Sequence, residues 1–304
     1  MNRPDLKVNI AGVELKNPVM TASGTFGSGL EYGEYIDLNQ LGAVVTKGVA
    51  SVPWKGNSGV RVAETYGGML NSVGLQNPGI EEFIKKDIPF LRKYDTKIVV
   101  NIAGKTLEEY CSVVERLYDE DVDLLELNIS CPNVKEGGVC FGTDTEMVSY
   151  VVKEVKKRAK QPLIVKLTPN VTDIAAIAKA AEAAGADAIS LINTLLGMAI
   201  DIYRRKPVLG NIVGGLSGPA IKPVALRMVY QVANAVKVPI IGMGGIISGE
   251  DAVEFLLAGA TGIAVGTANF VNPRATMDVL EGVEEYLVKY NEDKVIDIIG
   301  TLNI

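Results

Sequence analysis

The stretch that decides the fold lies near the middle of the chain, at residues 122–133, and reads VDLLELNISCPN. Its first half is a short apolar run, which is typical of a buried strand. Proline cannot continue a central ladder, so we expect the strand to end before Pro132. Within a few residues the apolar run gives way to asparagine, serine and cysteine. Cys131 is therefore predicted to lie on a short loop at the mouth of a site.

The same unit, an apolar strand followed by a helical pattern, recurs on both sides of this stretch. Strands are predicted at residues 17–24, 43–46, 97–101, 124–128, 162–166, 188–192, 239–242 and 262–265, and helices at residues 31–38, 80–91, 107–118, 146–157, 173–184, 220–236, 252–257 and from 276 onward. Short apolar strands that alternate with helices are typical of a parallel sheet buried on both faces. About eight repeats in 304 residues predict one α/β domain over residues 1–304, a TIM (β/α)8 barrel.

Three further features complete the predicted architecture. Residues 8–15 are predicted to form an N-terminal hairpin around Ala11-Gly12. Residues 51–78 and 195–217 are long insertions without a clear period, and we expect them to cover the C-terminal face of the barrel. The competing fold, a doubly wound sheet, usually carries Gly-x-Gly-x-x-Gly after its first strand. The sequence has no such motif in that context.

The composition argues against several classes of protein. Apolar residues make up 48% of the chain, which is enough for a sizeable core. The formal net charge of −6 argues against non-specific nucleic-acid binding. Three cysteines without paired spacing argue for a reducing compartment, and no stretch approaches a membrane span or a signal peptide. We expect a cytoplasmic protein that has no metal site and binds neither nucleic acid nor membrane.

The chain contains no histidine, the usual carrier of protons near neutral pH. An enzyme built from this sequence would have to use cysteine, aspartate, glutamate, lysine or tyrosine with a shifted pKa. Aspartate and glutamate are plentiful, but none falls at a predicted strand end.

Polar residues and glycines occupy the ends of the predicted strands. They are Ser23, Lys47, Asn101, Asn128, Lys166, Asn193, Gly244, Gly245, Gly266 and Thr267. Each alone has an ordinary explanation, because lysine is common on surfaces and asparagine is common in turns. The carboxyl ends of the strands of a TIM barrel meet at one face, so these residues are predicted to converge on one pocket.

The glycines after the last two strands indicate a phosphate site. The loops GMGGI, at residues 242–246, and VGTA, at residues 265–268, would let backbone N–H groups approach a phosphate. Tight turns also require glycine, which is the structural explanation. The presence of both loops favours phosphate binding, although many barrels share this feature and it does not identify the ligand.

Cys131 has two interpretations. A free cysteine is often a small buried hydrophobe. The flanking amides, the serine and Pro132 favour the second interpretation, a reactive thiol at the mouth of the predicted pocket.

The sequence resembles the class 1 dihydroorotate dehydrogenases over essentially its whole length. The matching motifs are TKG at residues 46–48, NSVGLQN at 71–77, NISCPN at 128–133, VKL at 165–167, GLSG at 215–218 and GMGG at 242–245. In that family a cysteine base, rather than a serine, marks class 1. The run GLSGPA at residues 215–220 resembles type B, the NAD-linked form. The catalytic motifs show no departure from the family pattern.

The resemblance implies an FMN across the mouth of the barrel, with its phosphate on the loops after strands seven and eight. The implied FMN contacts are Ser23, Lys47, Gly48, Asn101, Asn128, Lys166, Ile192, Gly218, Gly244, Gly245, Gly266 and Thr267. The implied substrate contacts are Lys47, Asn71, Ser72, Val73, Gly74, Leu75, Asn128, Asn133, Asn193 and Thr194. Cys131 and Lys47 are the implied catalytic residues.

The implied reaction oxidises (S)-dihydroorotate to orotate in de novo pyrimidine (UMP) biosynthesis. Cys131 would remove a proton from C5 while C6 delivers hydride to the flavin. A thiol has an ordinary pKa of about 8.5, so a moderate depression would make it competent near neutrality. Asparagines suit a planar carboxylate rich in amide-like groups, and Lys166 can offset negative charge on a reduced flavin.

Electrons must then leave the flavin. The sequence has no dinucleotide fingerprint, and three cysteines are too few for a Cys₄ iron–sulfur site. The type B resemblance implies a separate partner subunit that carries FAD and a 2Fe–2S cluster, docked on a homodimer of this chain to give a heterotetramer. NAD⁺ would be the final acceptor.

Several alternatives remain open from the sequence. One is a fumarate-linked type A enzyme, and another is a different FMN barrel that acts on a dihydropyrimidine. A flavin-free barrel for phosphorylated sugars is a further enzyme class. A non-catalytic binding module would keep the phosphate loops, but it would not need Cys131, Lys47 and the asparagines together.

Overall fold

The structure of the protein is a computed structural model, which describes residues 3–130, 135–136 and 139–303. The predicted site residues Cys131 and Asn133 lie outside the described residues. The strands are β1 (Val8–Ile10), β2 (Val13–Leu15), β3 (Val19–Thr21), β4 (Ala43–Val45), β5 (Val62–Thr65), β6 (Gly68–Asn71), β7 (Lys97–Ile102), β8 (Leu124–Asn128), β9 (Lys135–Glu136), β10 (Val139–Cys140), β11 (Leu163–Lys166), β12 (Ala188–Leu191), β13 (Leu195–Met198), β14 (Ile200–Asp201), β15 (Lys206–Pro207), β16 (Val213–Ser217), β17 (Ile240–Met243) and β18 (Gly262–Val265). The helices are α1 (Ile80–Leu91), α2 (Leu107–Arg116), α3 (Thr145–Lys156), α4 (Ile174–Ala183), α5 (Lys222–Ala233), α6 (Gly249–Leu257), α7 (Ala268–Val271) and α8 (Ala275–Tyr290).

Eight parallel strands in the described part of the chain close into a barrel. Their order around it is β11-β12-β17-β18-β3-β4-β7-β8, which is chain order with the ends joined. Every residue of β8, β11, β12, β17 and β18 is buried, as expected for strands covered on both faces. The predicted TIM barrel is confirmed.

The helices around the barrel begin and end where the sequence supplies capping residues. Asp144 and Asp173 accept hydrogen bonds from backbone N–H groups at the starts of α3 and α4. Gly185, with φ of +103°, follows the end of α4 and confirms the predicted stop. Helix α6 begins three residues before its predicted start because Ser248 and Asp251 form a reciprocal capping box.

The N-terminal hairpin pairs β1 with β2 and is confirmed in its predicted position. Val8, Ile10 and Leu15 belong to the hydrophobic core. The hairpin packs near Gly262, the first residue of β18, and therefore lies at the amino-terminal end of the barrel strands.

The two insertions form an outer sheet that the sequence did not predict. This four-stranded antiparallel sheet has the order β13-β16-β6-β5 and combines strands from both insertions. Its strands are only four or five residues long, and β5 alternates between exposed and half-buried positions. Glycine begins β6 and lies inside β13 and β16, which weakens the apolar alternation that identifies a strand.

The helix expected at residues 31–38 is wrong. The structure has two short 3-10 turns there, at Tyr32–Glu34 and Leu38–Gln40. Asp37 accepts a hydrogen bond from the backbone N–H of Asn39, which starts the second turn and separates it from the first.

Among the residues that the structure describes, no helix is long and apolar enough to cross a bilayer.

Two glycines allow α6 and α8 to pack in direct backbone contact. A Cβ atom added at Gly282 would lie 2.8 Å from Gly249 Cα, and one added at Gly249 would lie 2.5 Å from Gly282 Cα. No side chain fits at either distance without moving a helix.

We predict that Gly282→Ala destabilises the protein by about 1–3 kcal/mol, the usual cost of overpacking. The sign is diagnostic, because glycine to alanine inside an ordinary helix gains about 0.5–1 kcal/mol. Thermal unfolding measures it, with Glu285→Ala on the exposed side of α8 as the control. A Gly282→Ala protein as stable as the parent would contradict the close contact.

Candidate active site

A cavity of about 470 Å³ opens at the carboxyl ends of the barrel strands. Residues that follow strands of the barrel line its inner wall, and Met69, Leu196 and Val213 of the outer sheet line the opposite side. The outer sheet therefore covers the C-terminal face, as predicted for the two insertions.

Most of the predicted site residues that the structure describes line this cavity. They are Ser23, Lys47, Gly48, Asn71, Ser72, Val73, Gly74, Leu75, Asn128, Lys166, Ile192, Asn193, Thr194, Gly218, Gly244, Gly245, Gly266 and Thr267. Asn101 is the exception, because it is fully buried beside Gly48 and does not reach the cavity surface. The polar strand ends do converge on one pocket.

Lys47 is a half-buried cation that faces the cavity and has no counter-ion among the residues that the structure describes. No carboxylate of the described residues lies within ion-pair distance of its Nζ atom. Burial lowers the pKa of Lys47, and the positive charge of Arg61 lowers it further. An unpaired ammonium in such a place is suited to a ligand carboxylate.

Three polar side chains form a hydrogen-bonded chain at the ends of β8 and β12. The amide nitrogen of Asn193 donates to Ser130 Oγ, and Ser130 Oγ donates to Asn128 Oδ1 at 2.5 Å. The Tyr110 hydroxyl fixes the same strand end by donating to the Asn128 carbonyl at 2.8 Å. Because its oxygen is occupied, Asn128 can present its amide nitrogen to a ligand.

The loop after β17 is held in a conformation that requires glycine. Gly244 and Gly245 have φ of +123° and +78°, and a Cβ at Gly245 would lie 2.8 Å from the backbone nitrogen of Lys222. A larger residue there would displace protein atoms whether or not a ligand binds. The structural and phosphate-binding explanations of this loop are therefore compatible.

A charged cluster supports this loop from behind. Lys222 Nζ pairs with Asp251 at 2.6 Å and with Glu254 at 2.9 Å. Burial raises the pKa of Asp251, but its hydrogen bonds with Lys222 and the Ile247 N–H outweigh burial and hold the pKa below its ordinary value. The cluster anchors the start of α5 to the segment that follows the two glycines.

Several lining residues were not identified from the sequence as site residues, among them Ser217 and Asn170. Thr267 Oγ1 donates to Ser217 Oγ at 2.8 Å, which joins the loop after β18 to the outer sheet. Asn170 donates to the Thr194 carbonyl at 3.0 Å and accepts from the Leu196 N–H at 3.0 Å. Asn170 lies four residues beyond the end of β11, so inspection of strand ends alone could not find it.

Comparison with known proteins agrees with this geometry. The family model described as "Dihydroorotate dehydrogenase" matches residues 5–287. The chain belongs to the dihydroorotate dehydrogenase family.

Individual relatives match along the whole chain. It is 76% identical over 302 residues to a protein of Alkaliphilus metalliredigens named "Dihydroorotate dehydrogenase B (NAD(+)), catalytic subunit", with 99% of this chain and all of that protein covered. Proteins of the same name from Alkaliphilus oremlandii and Geotalea daltonii are 74% and 56% identical, over 302 and 305 residues. Coverage is 99% and 100% of this chain, and all of each relative. The family resemblance inferred from the motifs is confirmed, and the type B relatives agree with the GLSGPA run.

The environment of Lys47 leads to a prediction about stability. Because its folded pKa is lowered, burial of its charge costs stability at pH values below that pKa. The cost disappears as the pH rises through the folded pKa towards the ordinary value of 10.5. Lys47→Met should therefore raise the unfolding temperature of the ligand-free chain near neutral pH, by about 1–3 °C.

Thermal unfolding of the two proteins between pH 7 and pH 10 measures this difference, which should shrink as the pH rises. Exposed Lys55→Met is the control and should change little. A difference in unfolding temperature that stays constant with pH would contradict a stability cost from the buried charge of Lys47.

Proposed function

We propose that this chain is the catalytic subunit of an FMN-dependent, NAD⁺-linked dihydroorotate dehydrogenase. It oxidises (S)-dihydroorotate to orotate in pyrimidine biosynthesis, in the cytoplasm, with residues 1–304 forming one FMN-binding domain. The proposal rests on one observation, that residues within the family match lie together at one site. The family match spans residues 5–287, and most of the described site residues implied by the motifs line one cavity, in which Lys47 has no counter-ion among the described residues.

The described residues fit FMN. The cavity volume falls in the range usual for ligand sites, about 300–1,000 Å³. Ser72 lines the cavity, and its Oγ is a buried polar atom with no hydrogen-bond partner among the described residues, as expected where a ligand completes the network. The residues proposed to hold FMN are Ser23, Lys47, Gly48, Asn101, Asn128, Lys166, Ile192, Gly218, Gly244, Gly245, Gly266 and Thr267. A bound FMN supplies the ring that accepts hydride.

The substrate needs a cation for its carboxylate and amides for its ring. Lys47 supplies the cation, and Asn71, Asn128, Asn193 and Thr194 supply donors and acceptors around it. Ser72, Val73, Gly74 and Leu75 form the adjoining wall, and Asn133 is proposed as a further amide contact. Binding of a carboxylate also relieves the unfavourable burial of Lys47, so the energetic cost in the free protein favours the complex.

Oxidation requires a base for the C5 proton of dihydroorotate. Among the described lining residues, the cavity contains two lysines but no aspartate, glutamate or tyrosine. Lys47 is committed to the substrate carboxylate, which keeps it protonated. Cys131 follows directly after Ser130, which lines the cavity, and is proposed as the base. Lys166 would offset part of the negative charge that a reduced flavin carries after the substrate is oxidised.

Cys131→Ser should bind FMN normally but lose most of its reaction with dihydroorotate at pH 7. A hydroxyl is far harder to ionise than a thiol, and a general base is worth about 10²–10⁴-fold. We expect the rate of flavin bleaching to rise with pH in the variant. Stopped-flow absorbance under anaerobic conditions measures it.

Cys111→Ser is the matched control, because Cys111 lies in the packed face of α2 and burial raises the pKa of its thiol. It should react at the parent rate. Bleaching of Cys131→Ser at the parent rate at pH 7 would show that another group is the base.

The final acceptor requires a partner. The relatives are named as catalytic subunits of NAD⁺-linked enzymes. We propose that a homodimer of this chain binds a separate subunit with FAD and a 2Fe–2S cluster, forming a heterotetramer. The three cysteines of this chain are too few for a Cys₄ iron–sulfur site, which is why the cluster is proposed to lie on the partner.

In a steady-state assay with dihydroorotate, the isolated chain should reduce an artificial dye but little NAD⁺. Addition of the electron-transfer subunit should restore reduction of NAD⁺. Rapid turnover with fumarate by the isolated chain, without stimulation by the partner, would exclude the type B proposal and support type A chemistry.

A further inference from the structure

Glu126 is a buried carboxylate for which the proposed function provides no role. It lies in β8, two residues before Asn128, and its side chain is 1% exposed. It does not line the cavity. Burial of a carboxylate in a barrel is costly unless hydrogen bonds and charges compensate it.

Three side chains compensate Glu126 from neighbouring strands. Asn101 Nδ2 donates to Oε2 at 2.5 Å, and Ser190 Oγ donates to Oε1 at 2.8 Å. Lys166 Nζ lies 3.8 Å from Oε2, and the Lys166 side chain is 5% exposed. Both carboxylate oxygens therefore have partners, and the nearest cation is one that also lines the cavity.

The carboxylate determines the direction of the Asn101 amide. An ionised carboxylate only accepts hydrogen bonds, so it must pair with the amide nitrogen and not with the amide oxygen. Asn101 Oδ1 is consequently left as a buried acceptor without a partner among the described residues. It adjoins cavity-lining Gly48, at which an added Cβ would lie 2.9 Å from Oδ1. The acceptor therefore lies directly behind the cavity wall at Gly48.

Glu126 also changes the charge of the cavity wall. Lys166 alone would present a full positive charge to a bound flavin. With Glu126 behind it, the pair is close to neutral when seen from the cavity. In the low dielectric of the barrel interior, this difference acts over many ångströms.

We propose that Glu126 is a positioning residue that fixes the Asn101 amide behind Gly48 and lowers the flavin's midpoint potential by offsetting Lys166. The proposal rests on FMN being the bound cofactor. It predicts that the flavin's midpoint potential depends on the charge of Glu126 and not only on the shape of its side chain.

The test is Glu126→Gln in the FMN-loaded catalytic chain, because the change keeps the shape and removes the charge. The midpoint potential should rise, and sulfite, which forms an anionic flavin adduct, should bind more tightly. We expect about tenfold tighter sulfite binding, equivalent to about 30 mV for a two-electron couple. A dye-coupled redox titration and a sulfite titration by absorbance provide the two values.

Two matched variants separate charge from geometry. Glu126→Asp keeps the charge but shortens the side chain, and Ser190→Ala removes one hydrogen bond to the carboxylate. The sulfite affinity of both variants should stay within about threefold of the parent. Neither change removes the charge of Glu126, and only that loss is expected to give a tenfold change. An unshifted Glu126→Gln protein, or an equal shift in Glu126→Asp, would overturn the proposal. Should Glu126→Gln not fold, Glu126→Asp still tests the proposal, because a tenfold shift in a variant that keeps the charge would refute a charge effect.

A failure of the proposed function can be distinguished from a failure of the Glu126 proposal by FMN binding to the unmodified chain. In that case the unmodified chain would retain no flavin absorbance after mixing with FMN and removal of the excess. A parent chain that binds FMN, together with a silent Glu126→Gln variant, would remove the role of Glu126 and leave the function intact.

Discussion

Each strand of the barrel hydrogen-bonds to two parallel neighbours, so no strand can shift without disrupting two ladders. The register places Lys166 beside both Asn128 and Ser190, and Asn101 beside Glu126. Residues far apart in the chain are therefore fixed relative to one another by backbone pairing alone. The side chains at the strand ends require only the correct residue types to become a site, because closure of the barrel already supplies their positions.

Closure also encloses polar side chains. Glu126, Lys166, Asn101 and Ser190 are all buried where an ordinary core would hold aliphatic residues. A buried ion pair contributes little to stability compared with well-packed hydrophobic residues of similar volume. The arrangement is therefore better explained by its effect on the cavity above it than by its contribution to folding. The apolar strands and helices around it, such as β12 and α4, supply the stability.

The sequence was sufficient for the barrel, because five-residue apolar runs and amphipathic helices such as α1 leave little ambiguity. It was sufficient to predict that the polar strand ends meet at one cavity, because strand ends in a barrel lie at one face. It failed for the outer sheet, whose half-exposed, glycine-interrupted strands have no clear period. Glu126 could not be found either, since it precedes the strand end and becomes significant only through its partners on β7, β11 and β12.

The two lysines at strand ends show how one fold can produce opposite electrostatic environments. Lys166 has a carboxylate 3.8 Å away, so its charge is balanced within the protein. Lys47 has no such partner among the described residues, and burial with Arg61 nearby lowers its pKa. An anion from solution therefore gains more by binding at Lys47 than at Lys166. This asymmetry divides the cavity into a part that favours an anion and a part whose positive charge is already balanced, and both parts depend on which strand ends have a neighbouring acid.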